Sequence, residues 1–317
     1  MSYNQSEFLL NAIKSLQQQS YKNLQIIITD NGSNDGSKEI IKSVQDNRIV
    51  FLDYPTNEPV TKRFNQAVSH ALGDFISFLY SDDYYLPNKI ERQIKIFEEL
   101  DDSWGVVHTP GITEDIISGV RDIAPSTKAH GSCFVQLLDN FSDGFINPIS
   151  PLTRTKLFKE YPSYENLFME GESLFYRFAM KYKFFYLDEP LVVMRYHESN
   201  TGKAIKRNTL SNDYVLESLP KFKEFPKKYL PNLIKHSSYF KRSVGWHAIR
   251  SNYDVKWGRS MLYWSIKLDS LSIVNKRTLM GLALSVLPAF IRRKANQLLN
   301  RFATKKPFDI LENYEKQ

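Results

Sequence analysis

The stretch FISFLYSDDYYLP, residues 75–87, runs from a mostly apolar, β-forming segment directly into two adjacent aspartates and then a proline. Its first six residues predict a strand, and Asp82 and Asp83 follow the end of that strand. In an open α/β sheet, ligands bind outside the carboxyl ends of the strands, at the point where the strand order reverses. The sequence therefore predicts that Asp82 and Asp83 meet a ligand.

Helix and strand patterns alternate on both sides of this stretch. Strands are predicted at residues 24–29, 49–54 and 104–109, and the segments between them carry apolar residues at helical spacing. Such alternation implies crossover connections and a mostly parallel, twisted sheet that is covered by helices on both faces. The sequence therefore predicts an α/β fold for this part of the chain.

The composition of the 317-residue chain excludes several classes of protein. A single cysteine, Cys133, cannot form a disulfide framework or a thiolate zinc site, which agrees with a reducing compartment. No basic segment followed by an apolar one opens the sequence, and no apolar run reaches the roughly 18 residues that a membrane span needs. We therefore expect a cytoplasmic protein.

The charge of the chain is divided unevenly along its length. Residues 1–200 contain 19 Lys and Arg against 27 Asp and Glu, a net charge of −8, whereas residues 201–317 contain 23 against 8, a net charge of +15. A basic C-terminal third predicts contact with an anionic partner, and a solvated basic surface is the alternative. No nucleic-acid-binding module accompanies the basic residues, so a nucleic-acid partner is not expected.

Asp82 and Asp83 are candidate metal ligands. Two neighbouring carboxylates repel each other unless a cation neutralises them, and their hard oxygen atoms suit Mg²⁺ or Mn²⁺ bound to phosphate oxygens. The alternative is that both acids cap the next helix, which Pro87 and Asn88 begin.

Two further aspartates, Asp30 and Asp35, lie at the mouth of another predicted strand, which would face the same crevice. An aspartate can accept the imide N–H of uracil or thymine and thereby select a pyrimidine nucleotide. The alternative is an Asx turn, because the segment DNGSNDGS, residues 30–37, is rich in residues that bind their own backbone.

Two blocks of the sequence, residues 2–37 and residues 62–90, resemble the opening block and the metal block of family 2 glycosyltransferases, which have the GT-A fold. The likeness covers about residues 3–200. The remainder, residues 206–317, is predicted to be a basic helical extension, so that the chain divides into a GT-A-like domain over residues 1–205 and this extension.

The resemblance implies a role for each candidate residue. Asp30 would read the pyrimidine ring, Asp82 the ribose and Asp83 the divalent metal on the diphosphate, while Arg63 would lie near the nucleotide. Asp35 is a further donor-binding candidate from its position beside Asp30. The segment EPLVVMRYHESNTG, residues 189–202, resembles a later block of the family, which implies that two more donor-site residues, Arg195 and His197, approach the diphosphate. Because a single residue separates them in a predicted strand, these two side chains share a face. A packed surface position is the alternative for His197.

The family's reaction inverts the anomeric carbon and requires a general base, which belongs to a Glu-Asp pair that opens a helix. The matching stretch is MEGESLFYRFA, residues 169–179, and its spacing to Arg177 places the family's Glu at Glu170 and its Asp at Gly171. The usual base is therefore absent, and Glu170 and Glu172 are the candidates to replace it. The alternative is that both are helix-start acids favoured by the helix dipole.

The resemblance also predicts an apolar central strand immediately before the Tyr-Asn motif. This sequence instead starts Met1-Ser2-Tyr3-Asn4, and four residues cannot form that strand. We therefore expect that the natural start lies upstream.

In the basic extension, LMGLALSVLPAFI, residues 279–291, is followed at once by Arg292, Arg293 and Lys294. This segment is too short to span a bilayer but is suited to lie in an anionic membrane interface. A core helix of a small bundle, or an oligomer interface, is the alternative.

The sequence as a whole predicts an inverting, metal-dependent glycosyltransferase that acts in surface polysaccharide biosynthesis. Its donor would be a UDP- or dTDP-sugar, its acceptor a hydroxyl of a growing or lipid-linked glycan, and its location the inner face of the cell membrane. The alternative is a catalytically degenerate, nucleotide-binding or partner subunit. The sequence does not indicate the oligomeric state.

Overall fold

The computed structural model describes residues 1–139, 145–168, 170–171, 173–197 and 205–302. The chain divides into two compact units. The first consists of Met1–His197 together with Phe222–Phe225, and the second contains the other described residues.

The first unit contains alternating helices and strands. In chain order they are α1 (Ser6–Gln17), β1 (Ile26–Asn31), α2 (Ser37–Ser43), β2 (Ile49–Tyr54), α3 (Val60–Ser69), β3 (Phe75–Ser77), β4 (Tyr84–Tyr85), α4 (Lys89–Glu98), β5 (Trp104–His108), β6 (Gly111–Asp115), β7 (Arg121–Ile123), α5 (Phe134–Asp139), β8 (Leu152–Arg154), α6 (Thr155–Glu160), α7 (Ser173–Ala179), β9 (Lys183–Tyr186) and β10 (Val192–Tyr196).

The strands form three sheets with the orders β1-β2, β3-β8-β5-β9 and β4-β10-β6-β7. The pairs β1-β2, β5-β9 and β6-β10 are parallel, and the other described pairs are antiparallel. The α/β fold with flanking helices is as predicted. The two four-stranded sheets are mixed, because β8 lies antiparallel between β3 and β5 and β7 folds back on β6 as a hairpin, whereas the β1-β2 sheet is parallel.

The strand predicted over residues 75–80 is shorter in the structure. Only Phe75–Ser77 pairs with β8. Beyond Ser77 the chain contacts the N-terminal residues instead, since the nitrogen of Met1 donates to Leu79 O at 3.0 Å. Ser2 N in turn donates to Thr29 O of β1 at 2.8 Å. Met1 and Ser2 thus connect β1 to the segment that follows β3. The natural start upstream remains a prediction.

The helices are held to the sheets by apolar side chains at helical spacing. Helix α1 buries Leu9 and Ile13 against Ile26 and Ile28 of β1, as its sequence pattern predicts. Helix α4 similarly contributes Ile90 and Phe97 to a core that also contains Val107, Ile149, Leu152 and Val192. These two cores fix β1, β4 and β10, whose ends carry the candidate site residues.

The second unit is helical. Its helices are α8 (Ile205–Ser218), α9 (Leu230–Arg250), α10 (Val255–Leu268), α11 (Lys276–Ser285) and α12 (Ala289–Phe302), with a 3₁₀ segment at Ser270–Val274. Helices α9 and α10 approach closely at two glycines, since a Cβ atom on Gly245 would lie 2.8 Å from Gly258 O. Within the described residues, no helix combines the length and the apolar character that crossing a membrane requires.

Candidate active site

The two aspartates that follow β3 are held against the end of β10. Asp83 is 7% exposed, and its Oδ1 accepts a hydrogen bond from Arg195 N at 2.9 Å. Burial, together with the adjacent charge of Asp82, raises the pKa of Asp83 well above its usual value. An ionised Asp83 is therefore costly at this position unless a cation is present.

Arg195 and His197 lie on the same side of β10 and contact the same aspartate. Arg195 Nε donates to Asp82 O, and His197 Nε2 lies 3.2 Å from Asp82 Oδ2. Both side chains also contact Phe8 of α1: the His197 ring stacks on it with the ring centres 4.4 Å apart, and the Arg195 guanidinium lies 4.9 Å from its centre. The structure thus brings together Asp82, Asp83, Arg195 and His197.

Phe8 is the residue of this cluster that the sequence does not reveal as part of a site. Its position in the helical pattern of α1 predicts only a core side chain. It is buried, as predicted, but it also forms the surface on which Arg195 and His197 rest. No local signal distinguishes this role, because the contact joins residues that are nearly the whole first unit apart in sequence.

Asp30 and Asp35 both bind the turn between β1 and α2. Asp30 is fully buried and accepts hydrogen bonds from Ser33 N at 2.8 Å and Ser33 Oγ at 2.6 Å. Asp35 accepts from Ser37 Oγ at 2.6 Å and from Ser6 N at 2.8 Å, which ties the start of α1 to that of α2. Burial opposes ionisation of Asp35, but these hydrogen bonds outweigh it and hold its pKa below the usual value. Both aspartates therefore shape the turn.

Arg63 lies on α3 and is 3% exposed. Its guanidinium donates to Asn31 Oδ1 at 2.8 Å, to Thr56 O at 2.6 Å and to Gln66 Oε1 at 3.0 Å, and it stacks 3.8 Å from the centre of the Tyr54 ring. These contacts fasten the carboxyl ends of β1 and β2 together. Arg63 is thus near the predicted nucleotide site, where it supports the backbone.

Glu170 forms a buried ion pair with Arg177. The two side chains are 3% and 2% exposed, and Glu170 Oε2 also accepts from Tyr164 N at 3.2 Å. Burial raises the pKa of Glu170, although Arg177 opposes that shift. The carboxylate of Glu170 is therefore held in its ion pair with Arg177. Glu172, the other predicted base, lies outside the described residues.

Gly171 borders a cavity of ≈ 50 Å³ whose lining includes the apolar side chains of Val60, Phe64, Phe158 and Phe175. Its φ is +51°, in the left-handed region, and a Cβ atom built on it would meet nothing within 4 Å. Space for a side chain therefore exists where the family has aspartate.

The carboxylate oxygens of the aspartate pair are of the type that binds divalent metal ions. In the described ranges there is no group of three or more His, Cys, Asp and Glu side chains that could hold a metal ion. Asp82 and Asp83 nevertheless offer adjacent hard oxygen ligands. Burial and the charge of Asp82 raise the pKa of Asp83, so a bound cation would favour its ionised form. Further ligands would have to come from a bound diphosphate or from water.

Comparison with protein families identifies the first part of the chain. Residues 1–148 match the family described as Glycosyl transferase family 2. This N-terminal region belongs to glycosyl transferase family 2. An uncharacterized glycosyltransferase of Rickettsia typhi is 36% identical over 106 residues, which make up 33% of this chain and 33% of the relative. Putative glycosyltransferase EpsE of Bacillus subtilis is 34% identical over 100 residues, 31% of this chain and 36% of EpsE.

Another relative has a defined activity in its name. The UDP-Glc:alpha-D-GlcNAc-diphosphoundecaprenol beta-1,3-glucosyltransferase WfaP of Escherichia coli is 35% identical over 97 residues, 31% of this chain and 39% of WfaP. The matched segment therefore spans 33% to 39% of the length of these relatives.

Solved structures share the GT-A-like fold. S. aureus TarS 1–349 in complex with UDP-GlcNAc has a TM-score of 0.52 at 15% identity, covering 88% of this chain and 90% of TarS 1–349. Mannosyltransferase PcManGT from Pyrobaculum calidifontis, in complex with GDP-Man and Mn²⁺, has a TM-score of 0.58 at 11% identity, covering 96% of this chain and 86% of PcManGT. At these identities, the likeness confirms the predicted fold and no more.

Proposed function

We propose that the chain is an inverting, metal-dependent glycosyltransferase. It transfers a sugar from a nucleotide diphosphate donor to a hydroxyl of a growing or lipid-linked glycan, in surface polysaccharide biosynthesis. The observation that carries the proposal is the convergence of Asp82, Asp83, Arg195 and His197, because it sets two carboxylates beside two side chains that can donate to phosphate oxygens.

The cluster suits the departure of a nucleoside diphosphate. In the proposed reaction, the bond between the anomeric carbon and the diphosphate oxygen breaks while the acceptor oxygen bonds to that carbon from the opposite face. Negative charge then accumulates on the diphosphate, where Arg195 and His197 would donate hydrogen bonds. A bound Mn²⁺ or Mg²⁺ would neutralise part of this charge, and Asp83, with Asp82, would hold it. Asp82 would also contact the ribose.

The turn after β1 would recognise the base of a UDP- or dTDP-sugar. A carboxylate has about four lone-pair sites, and Ser33 uses two of those on Asp30. Lone pairs of Asp30 thus remain for the imide N–H of a pyrimidine, which would have to displace part of the surrounding turn because the side chain is 0% exposed. Asp35 and Arg63 would act through the backbone, since they tie this turn to α1 and to the end of β2.

The proton of the acceptor hydroxyl needs a base other than Glu170. A carboxylate paired with an arginine inside the protein gains little from accepting a proton, because the arginine would then be buried without its counter-charge. Of the two predicted bases, Glu172 therefore remains as the proposal.

The relatives support the donor and acceptor classes. WfaP is named as a UDP-Glc transferase that acts on a GlcNAc-diphosphoundecaprenol acceptor, and the two solved neighbours were obtained with UDP-GlcNAc and with GDP-Man and Mn²⁺. A lipid-linked acceptor would place the enzyme on the inner, cytoplasmic face of the membrane as a peripheral protein.

Gly171 favours a second candidate function. An aspartate is the family's base at this position, so a chain with glycine there fits a degenerate subunit that binds nucleotide without turnover. Such a subunit would act within a glycan-assembly complex.

Titration calorimetry of UDP, dTDP and GDP, each with and without Mn²⁺, tests the donor site. We expect Mn²⁺-dependent binding of one pyrimidine nucleotide and weaker binding of GDP. A folded chain that binds none of the three would contradict both candidates. Release of UDP or dTDP from the corresponding sugar nucleotide then separates an active enzyme from a degenerate subunit.

A further inference from the structure

Helix α11 buries its small and polar side chains and exposes its apolar ones. Thr278, Gly281 and Ser285 are buried and share one face of the helix. Gly281 sits so close to α10 that a Cβ atom on it would lie 2.8 Å from Leu262 Cδ1. Leu279 is 53% exposed on the outer side. A surface helix of a water-soluble domain normally has the opposite arrangement.

The 3₁₀ segment before α11 repeats this inverted pattern. Ser272 is buried and hydrogen-bonds Ser238 and Ser265, whereas Leu271 and Val274 are 75% and 69% exposed. The segment contacts both α10 and α11. We call Leu271, Ile273, Val274, Leu279, Met280 and Leu282, all of them exposed, the apolar face.

The charged residues in the sequence around the apolar face are predominantly basic. Residues 255–294 contain eight Lys and Arg and a single acid, Asp269. Lys276 and Arg277 begin α11, and Lys267 Nζ lies 4.5 Å from the ring of the exposed Trp264. Two copies of such a surface would repel each other, whereas an anionic bilayer attracts the cations and accepts the apolar side chains.

We propose that the apolar face inserts into the interface of an anionic membrane, with the neighbouring lysines and arginines at the lipid headgroups. The side chains would reach roughly 5–10 Å into the headgroup and acyl boundary, as interfacial helices do. The residues of this surface are separate in sequence from those of the donor site. The membrane proposal rests on the proposed function only in that insertion would give the transfer reaction access to a lipid-linked acceptor.

Sedimentation of the full chain with vesicles tests this surface. We expect the chain to pellet with vesicles that contain phosphatidylglycerol and much less with phosphatidylcholine alone. Leu279→Ser combined with Leu282→Ser should weaken that binding about tenfold or more, because two immersed leucines are lost. Lys276→Glu combined with Arg277→Glu should abolish the preference for anionic vesicles. Leu72→Ser, at a leucine of the first unit that is 87% exposed, is the matched control and should bind as the wild type does.

Two outcomes would overturn the proposal. One is equal sedimentation of the wild type and the Leu279/Leu282 double variant. The other is a lipid-free dimer that the double variant abolishes, since a second copy would then cover the face. Calorimetry with UDP, dTDP and Mn²⁺ on each variant keeps the two proposals apart. A variant that no longer binds vesicles but still binds nucleotide tests the apolar face alone. A wild-type chain that binds no nucleotide contradicts the proposed function and leaves the membrane proposal unaffected.

Discussion

Arg177 donates to the carboxylate of Glu170 inside the first unit, where both side chains are almost fully buried. Arginine does not lose its proton in proteins, so Glu170 is the counter-charge that this buried cation requires. The same arginine also donates to Pro162 O at 2.8 Å and lies 4.6 Å from the centre of the Tyr164 ring. Glu170 and Arg177 therefore fasten the loop before α7 to that helix.

Glu170→Gln should lower the free energy of unfolding. We do not expect it to remove the general base of the reaction. The substitution leaves Arg177 buried without a counter-charge, and breaking such a pair costs about 3 kcal/mol of unfolding free energy. Urea unfolding measures this loss. Glu98→Gln, at an exposed position of α4, is the matched control and should change stability by less than about 0.5 kcal/mol. Full stability together with lost turnover would instead identify Glu170 as the base.

If the second candidate function holds and the chain lacks its base, Gly171→Asp should raise turnover. The new carboxylate would stand where the family has its base, and general base catalysis contributes on the order of 100-fold or more. The left-handed backbone costs a non-glycine residue about 1–2 kcal/mol, and aspartate and asparagine tolerate it best. Gly171→Asn bears the same strain without the carboxylate and is the control. The readout is release of nucleoside diphosphate from a sugar nucleotide, and equal rates for the two variants would exclude this position as the site of the base.

That the aspartate pair follows a strand of the sheet could be read from the sequence, because two acids after an apolar, β-forming segment are a local pattern, although the strand itself ends at Ser77. The same holds for Arg195 and His197, since alternation along a strand places them on one face. The contacts that define their environment could not be predicted. Asp82 meets His197 across more than a hundred residues of chain, and Phe8 enters from α1. Only the packed fold decides these neighbours.

The orientation of α11 shows the same limit. Its sequence is apolar over most of its length, so that both a core helix and a surface helix are consistent with the pattern. Packing decides between them through Gly281, whose missing side chain lets α11 approach Leu262 with its small face inward. The leucines are exposed as a consequence. Composition alone indicates neither the face that is buried nor the one that is exposed.

Asp83→Asn should abolish the stabilisation that Mn²⁺ and nucleotide give while leaving the unliganded fold at least as stable. The amide still offers an acceptor to Arg195 N, and it removes a carboxylate whose pKa is raised by burial and by Asp82. Thermal unfolding with and without UDP, dTDP and Mn²⁺ measures both quantities. Asp74→Asn, at an exposed position before β3, is the control. A variant with an undiminished shift in Tm on addition of ligand would exclude Asp83 from the metal site.

His108 should make the protein less stable in mild acid. It is fully buried on β5, where Nε2 donates to Ala129 O at 2.8 Å, and burial lowers its pKa from 6.5 to about 4. As the pH falls, the unfolded chain takes up a proton on His108 near pH 6.5, before the folded protein does. The free energy of unfolding is therefore undiminished above pH 6.5 and decreases by up to about 3 kcal/mol as the pH falls toward 4. His108→Gln should flatten this part of the curve of unfolding free energy against pH, measured by urea unfolding, while His70→Gln, at an exposed histidine, should leave it unchanged. An equally steep loss in His108→Gln would mean that other groups take up the protons.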